Sequence, residues 1–548
     1  MAETTPKSTR VWLNSLPFSD NSQTTRDLYR SIYTLNRLEI DPAKRTDILE
    51  LYRTPVNTVT ATFQQTLGQQ PLPVAENVRR MIEIVRELNR EMSLGYKIVL
   101  LDQQGNWKHR LMNKSPALVV ERAMRYLGEV LVHCYHTYLP FPSQIWSELN
   151  ELYRFSEFTD LLETTVKIDL GRDAGATSIE ERYKQICLLG VCNPYQLPQG
   201  DARKIHIFLY RWANMAVLRQ LDTTSVMTAC FQIDLLRDAP PVYYSSPIDP
   251  MYEKRARILD ANALVSQIQS FVQRLENGEP ASQLDLGTEC LDIACLELLR
   301  RMNRAWATAS ARQHGRSGGK GILSVCVGLN AIHFFADGQR PFSAPVDVKS
   351  ATTPTADETD DVEPLDIDVD LIDETEQREP APPLVAEDFH VTHWEIVDQS
   401  ANGLFLRSMM QSGIKVRIGE ILGVQFDGKA GAEWWPATVR RLQGDAAGMI
   451  EIGIELLASQ LEPAAVCAAD GTGIYHAALT LPALETTGKK SPRSLVIPRG
   501  VFREQADMLL VVGGELPPVR VRPLMLVEHS NSFEQIYFAE VLTKTANV

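Results

Sequence analysis

The residues best suited to chemistry lie in one short string, Asp398-Gln399-Ser400-Ala401-Asn402-Gly403, which stands between two apolar runs. Asp398 supplies carboxylate acceptors, and Ser400 supplies a hydroxyl that both donates and accepts hydrogen bonds. Gly403 has no Cβ, so its backbone can take a positive φ or be approached closely by a ligand. Asp and Ser also bond their own backbone in turns. The string therefore predicts a strand, turn and strand that serve either as a plain turn or as a site for a polar ligand.

A pair of arginines upstream, Arg312 and Arg316, has the spacing R-x-x-x-R and precedes a strand-like apolar run, Ile322 to Val327. A guanidinium bonds phosphate or the edge of guanine with its planar fork, and it stacks on a base with its face. The pair also follows a predicted long helix and precedes Gly318-Gly319, a pattern typical of a helix C-terminus. From the residues alone, a ligand-binding arm and a helix end both remain open.

The order R-x-x-x-R, strand, D-x-S-x-x-G, strand resembles the PilZ domain, a small β-barrel that binds the bacterial second messenger cyclic di-GMP. Three later apolar runs are similar to the closing strands of that family, at residues 421–426, 435–441 and 450–456. The resemblance covers about residues 310–460. It implies a cyclic di-GMP site formed by Arg312, Arg316, Asp398, Ser400 and Gly403, with Asn402 assisting from the turn. The arginine pair lies far ahead of Asp398, so the resemblance requires an insertion between the first two strands.

Composition and charge exclude several classes of protein. The chain has 55 basic and 69 acidic residues among 548, a net charge of -14, which argues against a surface for a nucleic acid polymer. The polar N-terminus and the lack of a long apolar run predict no signal peptide and no membrane-inserted helix. The eight cysteines are scattered, with no C-x-x-C and no disulfide framework, which indicates a reducing cytoplasm.

Other chemistry is sparse. The string His133-Cys134-Tyr135-His136 contains metal-ligand types, but consecutive side chains on a helix point to different faces. There is no P-loop and no G-x-G-x-x-G after a strand. We therefore predict no catalytic residue, no metal site and no cofactor, and we do not expect an enzyme.

The first half of the chain is predicted to be helical. Residues 1–22 are expected to be a polar leader, and residues 23–310 a helical domain, either a bundle or a solenoid. Clear helical periods lie at 42–68, 75–95, 115–138, 142–157, 254–276 and 283–310. One short run, Val226 to Ile233, is a candidate strand within this half.

The second half is predicted to be mostly β. Residues 311–339 hold the arginine arm and the first strand of the PilZ-like domain, and residues 389–460 hold its barrel. Between them, residues 340–388 form an acidic, proline-rich linker or insertion in which Arg378 is the one base between Asp357 and Glu379. Residues 461–548 form a C-terminal β-rich region, either a second small barrel or an elaboration of the first. The fold class is multidomain α+β.

These features predict a cytoplasmic bacterial receptor that binds cyclic di-GMP at the PilZ-like domain and signals through the helical half to an unidentified protein partner. The alternative is a degenerate PilZ-fold scaffold, which binds no nucleotide and acts through protein–protein interaction.

Overall fold

The computed structural model forms two compact units. The first contains Met1–Arg316, Arg407–Ile418 and Arg440–Gly453, and the second contains Ser317–Leu406, Gly419–Val439 and Ile454–Val548. The structure describes residues 3–67, 72, 74–104, 116–168, 175–220, 228–244, 255–284, 286, 293–307, 317–345, 389–409, 415–426, 433–445, 448–469, 474–486, 489–504, 506–514 and 517–541.

The first unit begins with a run of helices, as the sequence predicts. They are α1 (Pro6–Asn14), α2 (Asn21–Leu35), α3 (Pro42–Leu67), α4 (Glu76–Gln104), α5 (Pro116–Thr137), α6 (Ile145–Phe158), α7 (Ile179–Gly190) and α8 (Asp201–Trp212). No helix in the described ranges is long and apolar enough to cross a membrane.

Helix α1 replaces the polar leader expected at residues 1–22. The Thr5 side chain accepts a hydrogen bond from the Ser8 amide at 3.2 Å, and Pro6 stands at the first helical position, so this helix is capped at its start. Leu13 is buried in the main core. The leader prediction failed because a few apolar residues suffice to dock a short amphipathic helix.

Helix α5 is the centre of this core. Every residue from Val119 to Thr137 is buried, including the charged Glu121, Arg122 and Glu129. A helix that is buried on all sides is surrounded by other elements rather than lying at the surface. Its charged residues are therefore obliged to find partners inside the protein.

Short strands extend the first unit. Strands β1 (Val166–Ile168) and β2 (Gly175–Thr177) pair with each other, and a four-stranded sheet has the order β3-β6-β4-β5. The members of this sheet are β3 (Val217–Gln220), β4 (Cys230–Asp234), β5 (Val242–Tyr243) and β6 (Ala256–Asp260). Strand β4 agrees with the candidate strand in the sequence.

Two predicted helices in this region differ from the structure. Residues 254–276 were expected to be one helix, but Ala256–Asp260 is strand β6 and only Asn262–Glu276 is helical, as α9. The strand has a continuous buried run, and such short apolar runs do not distinguish helix from strand. The helix expected at 283–310 is described as α10 (Ile293–Ala307). Cys295 in α10 is disulfide-bonded, which the cysteine spacing did not indicate.

The second unit holds most of a seven-stranded sheet with the order β10-β13-β12-β11-β8-β9-β7. Strands β9 and β10 also pair with each other, which closes six of the strands into a barrel and confirms the predicted β-barrel. The elements are β7 (Ser317–Gly318), β8 (Ile322–Val327), α11 (Leu329–Ala336), β9 (Thr392–Gln399), β10 (Gly403–Met409), β11 (Ile421–Phe426), β12 (Trp435–Gly444) and β13 (Met449–Leu456).

The insertion that the resemblance required is consistent with the strand pairing. Strand β8 pairs antiparallel with β9, with Ile322 opposite Glu395 and Val325 opposite Thr392. Two neighbouring strands of the barrel are thus separated in sequence by residues 328–391. Most of the acidic stretch predicted at 340–388 lies outside the described residues.

The C-terminal region forms a second closed barrel, with the order β14-β15-β18-β21-β20-β19. Its strands are β14 (Glu462–Ala468), β15 (His476–Leu481), β18 (Ser494–Pro498), β19 (Met508–Val512), β20 (Val519–His529) and β21 (Phe533–Glu540), and a separate hairpin is formed by β16 (Leu484–Thr486) and β17 (Lys489–Ser491). Ile332 of α11, Ile421 of the first barrel and Leu479 of the second share one buried cluster.

We expect the protein to lose stability between pH 7 and pH 5. Burial lowers the pKa of His133 to about 4 and that of His206 to about 3, from an ordinary value near 6.5. Between the lowered pKa of the folded chain and the ordinary pKa of the unfolded chain, only the unfolded chain binds these protons. The free energy of unfolding therefore decreases as the pH is lowered through this range. Each of these histidines should cost roughly 2 kcal/mol at pH 5, measurable by urea unfolding at both pH values.

The matched variants are His133→Gln and His390→Gln. His133 Nε2 lies 2.8 Å from the Ile82 carbonyl oxygen, and a glutamine amide can donate the same bond without titrating. His133→Gln should reduce the acid-induced loss, whereas His390→Gln, at an exposed position, should leave it unchanged. An undiminished loss in His133→Gln would exclude His133 as a source.

Candidate ligand-binding site

The D-x-S-x-x-G string forms a β-hairpin, as predicted. Asp398 lies near the end of β9, Ser400 and Asn402 lie in the turn, and Gly403 begins β10. Ser400 donates from its amide to the Gly403 carbonyl oxygen at 2.8 Å, and from its hydroxyl to the same oxygen at 3.2 Å. The Leu456 amide donates to the Asn402 carbonyl oxygen at 2.9 Å. These bonds fix the backbone of the turn without using the Asn402 side chain.

Gly403 is required by close packing rather than by a positive φ. A Cβ at this position would lie 3.0 Å from the Ile454 carbonyl oxygen and 3.3 Å from the Ser400 hydroxyl. The neighbouring strand β13 therefore approaches this backbone more closely than most side chains allow.

Asp398, Ser400 and Asn402 are all accessible at this edge of the barrel. Asp398 and Ser400 are half-buried, and Asn402 is exposed. Asp398 follows Trp394 and Ile396 at the two-residue period of a strand, so it shares their face at the point where that face leaves the core. The hairpin thus presents a carboxylate, a hydroxyl and an amide within a few residues of one another.

The chain that follows the arginine pair is paired directly with this hairpin. Ser317 lies opposite Gln399, and Gly318 lies opposite Asp398. The Gly319 amide donates to the Val397 carbonyl oxygen at 3.3 Å, and the Ile396 amide donates to the Gly321 carbonyl oxygen at 3.0 Å. Strands β7 and β8 therefore continue along the same edge of β9.

The register changes between these two pairings. Ser317 to Ile322 spans five steps, and the opposing Gln399 to Glu395 spans four, so one extra residue lies on the glycine-rich strand. Such a bulge twists a strand and redirects the chain beyond it. A Cβ at Gly319 would overlap Cγ2 of Ile396, so the bulge depends on glycine at that position.

Arg312 and Arg316 themselves lie outside the described residues. The helix-end alternative for the pair relied on Gly318-Gly319 as a helix C-terminus, and this part is wrong because Gly318 pairs as a strand residue with Asp398. Sequence reasoning missed Gly319 as a structural requirement. The glycine-rich string 318–321 was the available signal, and its place directly before a strand favoured a bulge.

Comparison with known families agrees with this geometry. Residues 230–463 match the family model described as the cyclic-di-GMP receptor FimW, middle PilZ domain. Residues 7–223 match the N-terminal domain of the same receptor, and residues 464–541 match its C-terminal β-barrel domain. The middle match begins well ahead of the region where the motifs lie, and it takes in β4, β6, α9 and α10.

The middle region of the chain therefore matches a PilZ domain. Among individual proteins, it is similar to the cyclic-di-GMP receptor FimW of Pseudomonas aeruginosa. The two are 25% identical over 543 residues, which cover 94% of this chain and 87% of that protein.

We expect Gly319→Ala to destabilise the barrel, because its methyl group must displace Ile396 beside the bulge. Overpacking of this kind typically costs about 1–3 kcal/mol. The matched control is Gly318→Ala, since a Cβ at Gly318 meets no atom within 4 Å. Thermal unfolding of both variants tests the interpretation. Equal unfolding midpoints would show that the close contact at Gly319 does not constrain the strand.

Proposed function

We propose that the protein is a cyclic di-GMP receptor whose site combines Arg312 and Arg316 with Asp398, Ser400, Asn402 and Gly403. The observation that carries this proposal is the pairing of Ser317 and Gly318 with Gln399 and Asp398. Consecutive Cα atoms are about 3.8 Å apart, so Arg316 must begin within one residue of that pairing. Arg312 and Arg316 thus enter the proposal through their covalent connection to β7.

The chemistry of the residues suits the ligand. Cyclic di-GMP has two phosphates and two guanine bases, and arginine can bond either group and stack on the base. Asp398 can accept hydrogen bonds from guanine N–H groups, and the exposed Asn402 amide can both donate and accept. The Ser400 hydroxyl already donates to Gly403, so we assign it an acceptor role toward the ligand.

The similarity to a protein described as a cyclic-di-GMP receptor supports a binding function rather than catalysis. We therefore propose a receptor without enzymatic activity that acts in the bacterial cytoplasm. We propose that ligand capture draws the arginine arm onto the hairpin, which is a known type of switch.

The helical half is the proposed output. We propose that it binds a protein partner, and that ligand capture at the PilZ domain changes this interaction. A pull-down with the full-length protein, with and without cyclic di-GMP, tests this step. Partner recovery that is indifferent to the ligand would favour the scaffold alternative.

Calorimetric titration of the full-length protein with cyclic di-GMP tests the proposed site. Arg316→Ala should weaken binding most, because it removes a charge-assisted contact worth roughly 1.5–3 kcal/mol. That loss corresponds to about tenfold to a hundredfold or more in the dissociation constant. Asp398→Ala should weaken binding by a similar factor.

The control is Arg378→Ala, which removes the arginine assigned to the acidic stretch and should leave binding unchanged. The opposite pattern, with binding lost in Arg378→Ala and kept in Arg312→Ala and Arg316→Ala, would place the arginine arm after the insertion. No heat and no thermal shift with the unmodified protein at high micromolar ligand would favour a degenerate PilZ fold.

A further inference from the structure

One arginine in the centre of the helical core is buried without a matching acceptor. Arg125 lies on α5 and is only 6% exposed. Its Nε and Nη1 atoms have no hydrogen-bond partner in the described part of the chain. The guanidinium carbon of Arg125 lies 5.8 Å from the centre of the Tyr126 ring. Arginine is rarely buried unless it is paired, so this side chain requires an explanation.

A second buried arginine also has donor atoms without hydrogen-bond acceptors. Arg53 on α3 is 5% exposed and donates from Nη1 to Glu50 Oε2 at 2.6 Å, but its Nε and Nη2 have no partner among the described residues. Glu50 also accepts from the Tyr96 hydroxyl at 2.6 Å, and the Tyr96 ring stacks on Tyr126 at 6.2 Å. Arg53 and Arg125 are therefore linked through two neighbouring tyrosines.

Tyr126 completes this group. It is fully buried, and its hydroxyl has no hydrogen-bond partner within the described ranges. Burial raises its pKa to about 12, and Arg125 and Arg53 are the first two charges that oppose the rise, which indicates that both guanidiniums act on this hydroxyl. We call Arg53, Arg125 and Tyr126 the donor cluster.

The carboxylates around the donor cluster are already engaged. Glu121 accepts from Arg122 at 2.5 Å and from Arg182 at 2.8 Å. Glu129 accepts from Arg203 at 2.9 Å. The buried guanidiniums of Arg53, Arg122, Arg125 and Arg182 thus outnumber the carboxylates of Glu50, Glu121 and Glu129.

The carboxylates beside the donor cluster stay ionised despite their burial. Burial alone would raise the pKa of Glu121, but the guanidiniums of Arg182 and Arg122 bring it down to about 2. Burial would also raise the pKa of Glu129, but nearby positive charges, Arg203 first among them, lower it to about 2. An additional anion at the donor cluster would be held by the unused donors of Arg53, Arg125 and Tyr126.

We propose that the donor cluster binds one small oxyanion of the phosphate class inside the helical unit. A tetrahedral oxyanion presents several acceptors at once, which suits several unused donors supplied by two helices. Tyr126 adds a neutral hydroxyl donor to the two guanidiniums. This site is separate from the hairpin of Asp398, and it does not rest on cyclic di-GMP binding.

Thermal unfolding of the full-length protein tests the site, with sodium phosphate replacing sodium chloride at constant ionic strength and pH 7. An anion that binds only the folded chain should raise the unfolding midpoint progressively with phosphate concentration. No rise over chloride would overturn the proposal. Exclusion of phosphate from the protein surface also raises the midpoint, so the comparison with variants is decisive.

Arg125→Met removes the charge and keeps a long side chain, a replacement that buried charges often tolerate. It should abolish the specific rise and weaken phosphate binding in calorimetry by about tenfold or more. Arg26→Met, at an exposed position in the same unit, should behave like the unmodified protein.

Tyr126→Phe is the second variant, and it serves where Arg125→Met does not fold. It removes one donor without changing charge, so the phosphate response should shift to higher concentration. A wild-type response in Tyr126→Phe or in Arg125→Met contradicts the site. A response that survives both variants and disappears in Arg316→Ala would place the phosphate at the PilZ domain and also overturn it.

Discussion

The pairing of Ser317 and Gly318 with the end of β9 is the constraint on which the proposed receptor depends. It places the chain that follows the arginine pair beside the carboxylate, hydroxyl and amide of the hairpin. The bulge between this pairing and β8 requires that Gly319 pass against Ile396 with no side chain. Gly319, which has no functional group, thus helps to fix the strand to which the arginine pair is joined.

The helical unit depends on a different constraint, the burial of charge along α5. Glu121 and Glu129 are fully enclosed and remain ionised because arginines from α5, α7 and α8 surround them. Buried ion pairs are costly to assemble, and they rarely explain stability on their own. In this core the buried guanidiniums outnumber the buried carboxylates, and this excess is better explained if the core also accommodates an anion.

Much of this architecture could be predicted from local pattern. Alternating apolar residues indicated β9, β10, β11, β12 and β13, and helical periods bounded by proline indicated α3 to α6. The pairing of β8 with β9 could not be read from the residues, because it joins segments separated by the long insertion. Strand β6 was taken as helix because its buried run carries no period, and α1 was overlooked because its apolar stripe is short. The hairpin residues were found from their types, but the role of Gly319 depends on the position of Ile396, which only the fold determines.

Hydrogen–deuterium exchange of the full-length protein, with and without cyclic di-GMP, tests most directly whether the arginine arm and the hairpin act as one site. We expect the ligand to slow exchange in peptides that cover residues 312–321 and in peptides that cover residues 396–403. Exchange across residues 365–378 should not change. Protection near Arg378 without protection of residues 312–321, or no protection of either segment at saturating ligand, would contradict a shared site.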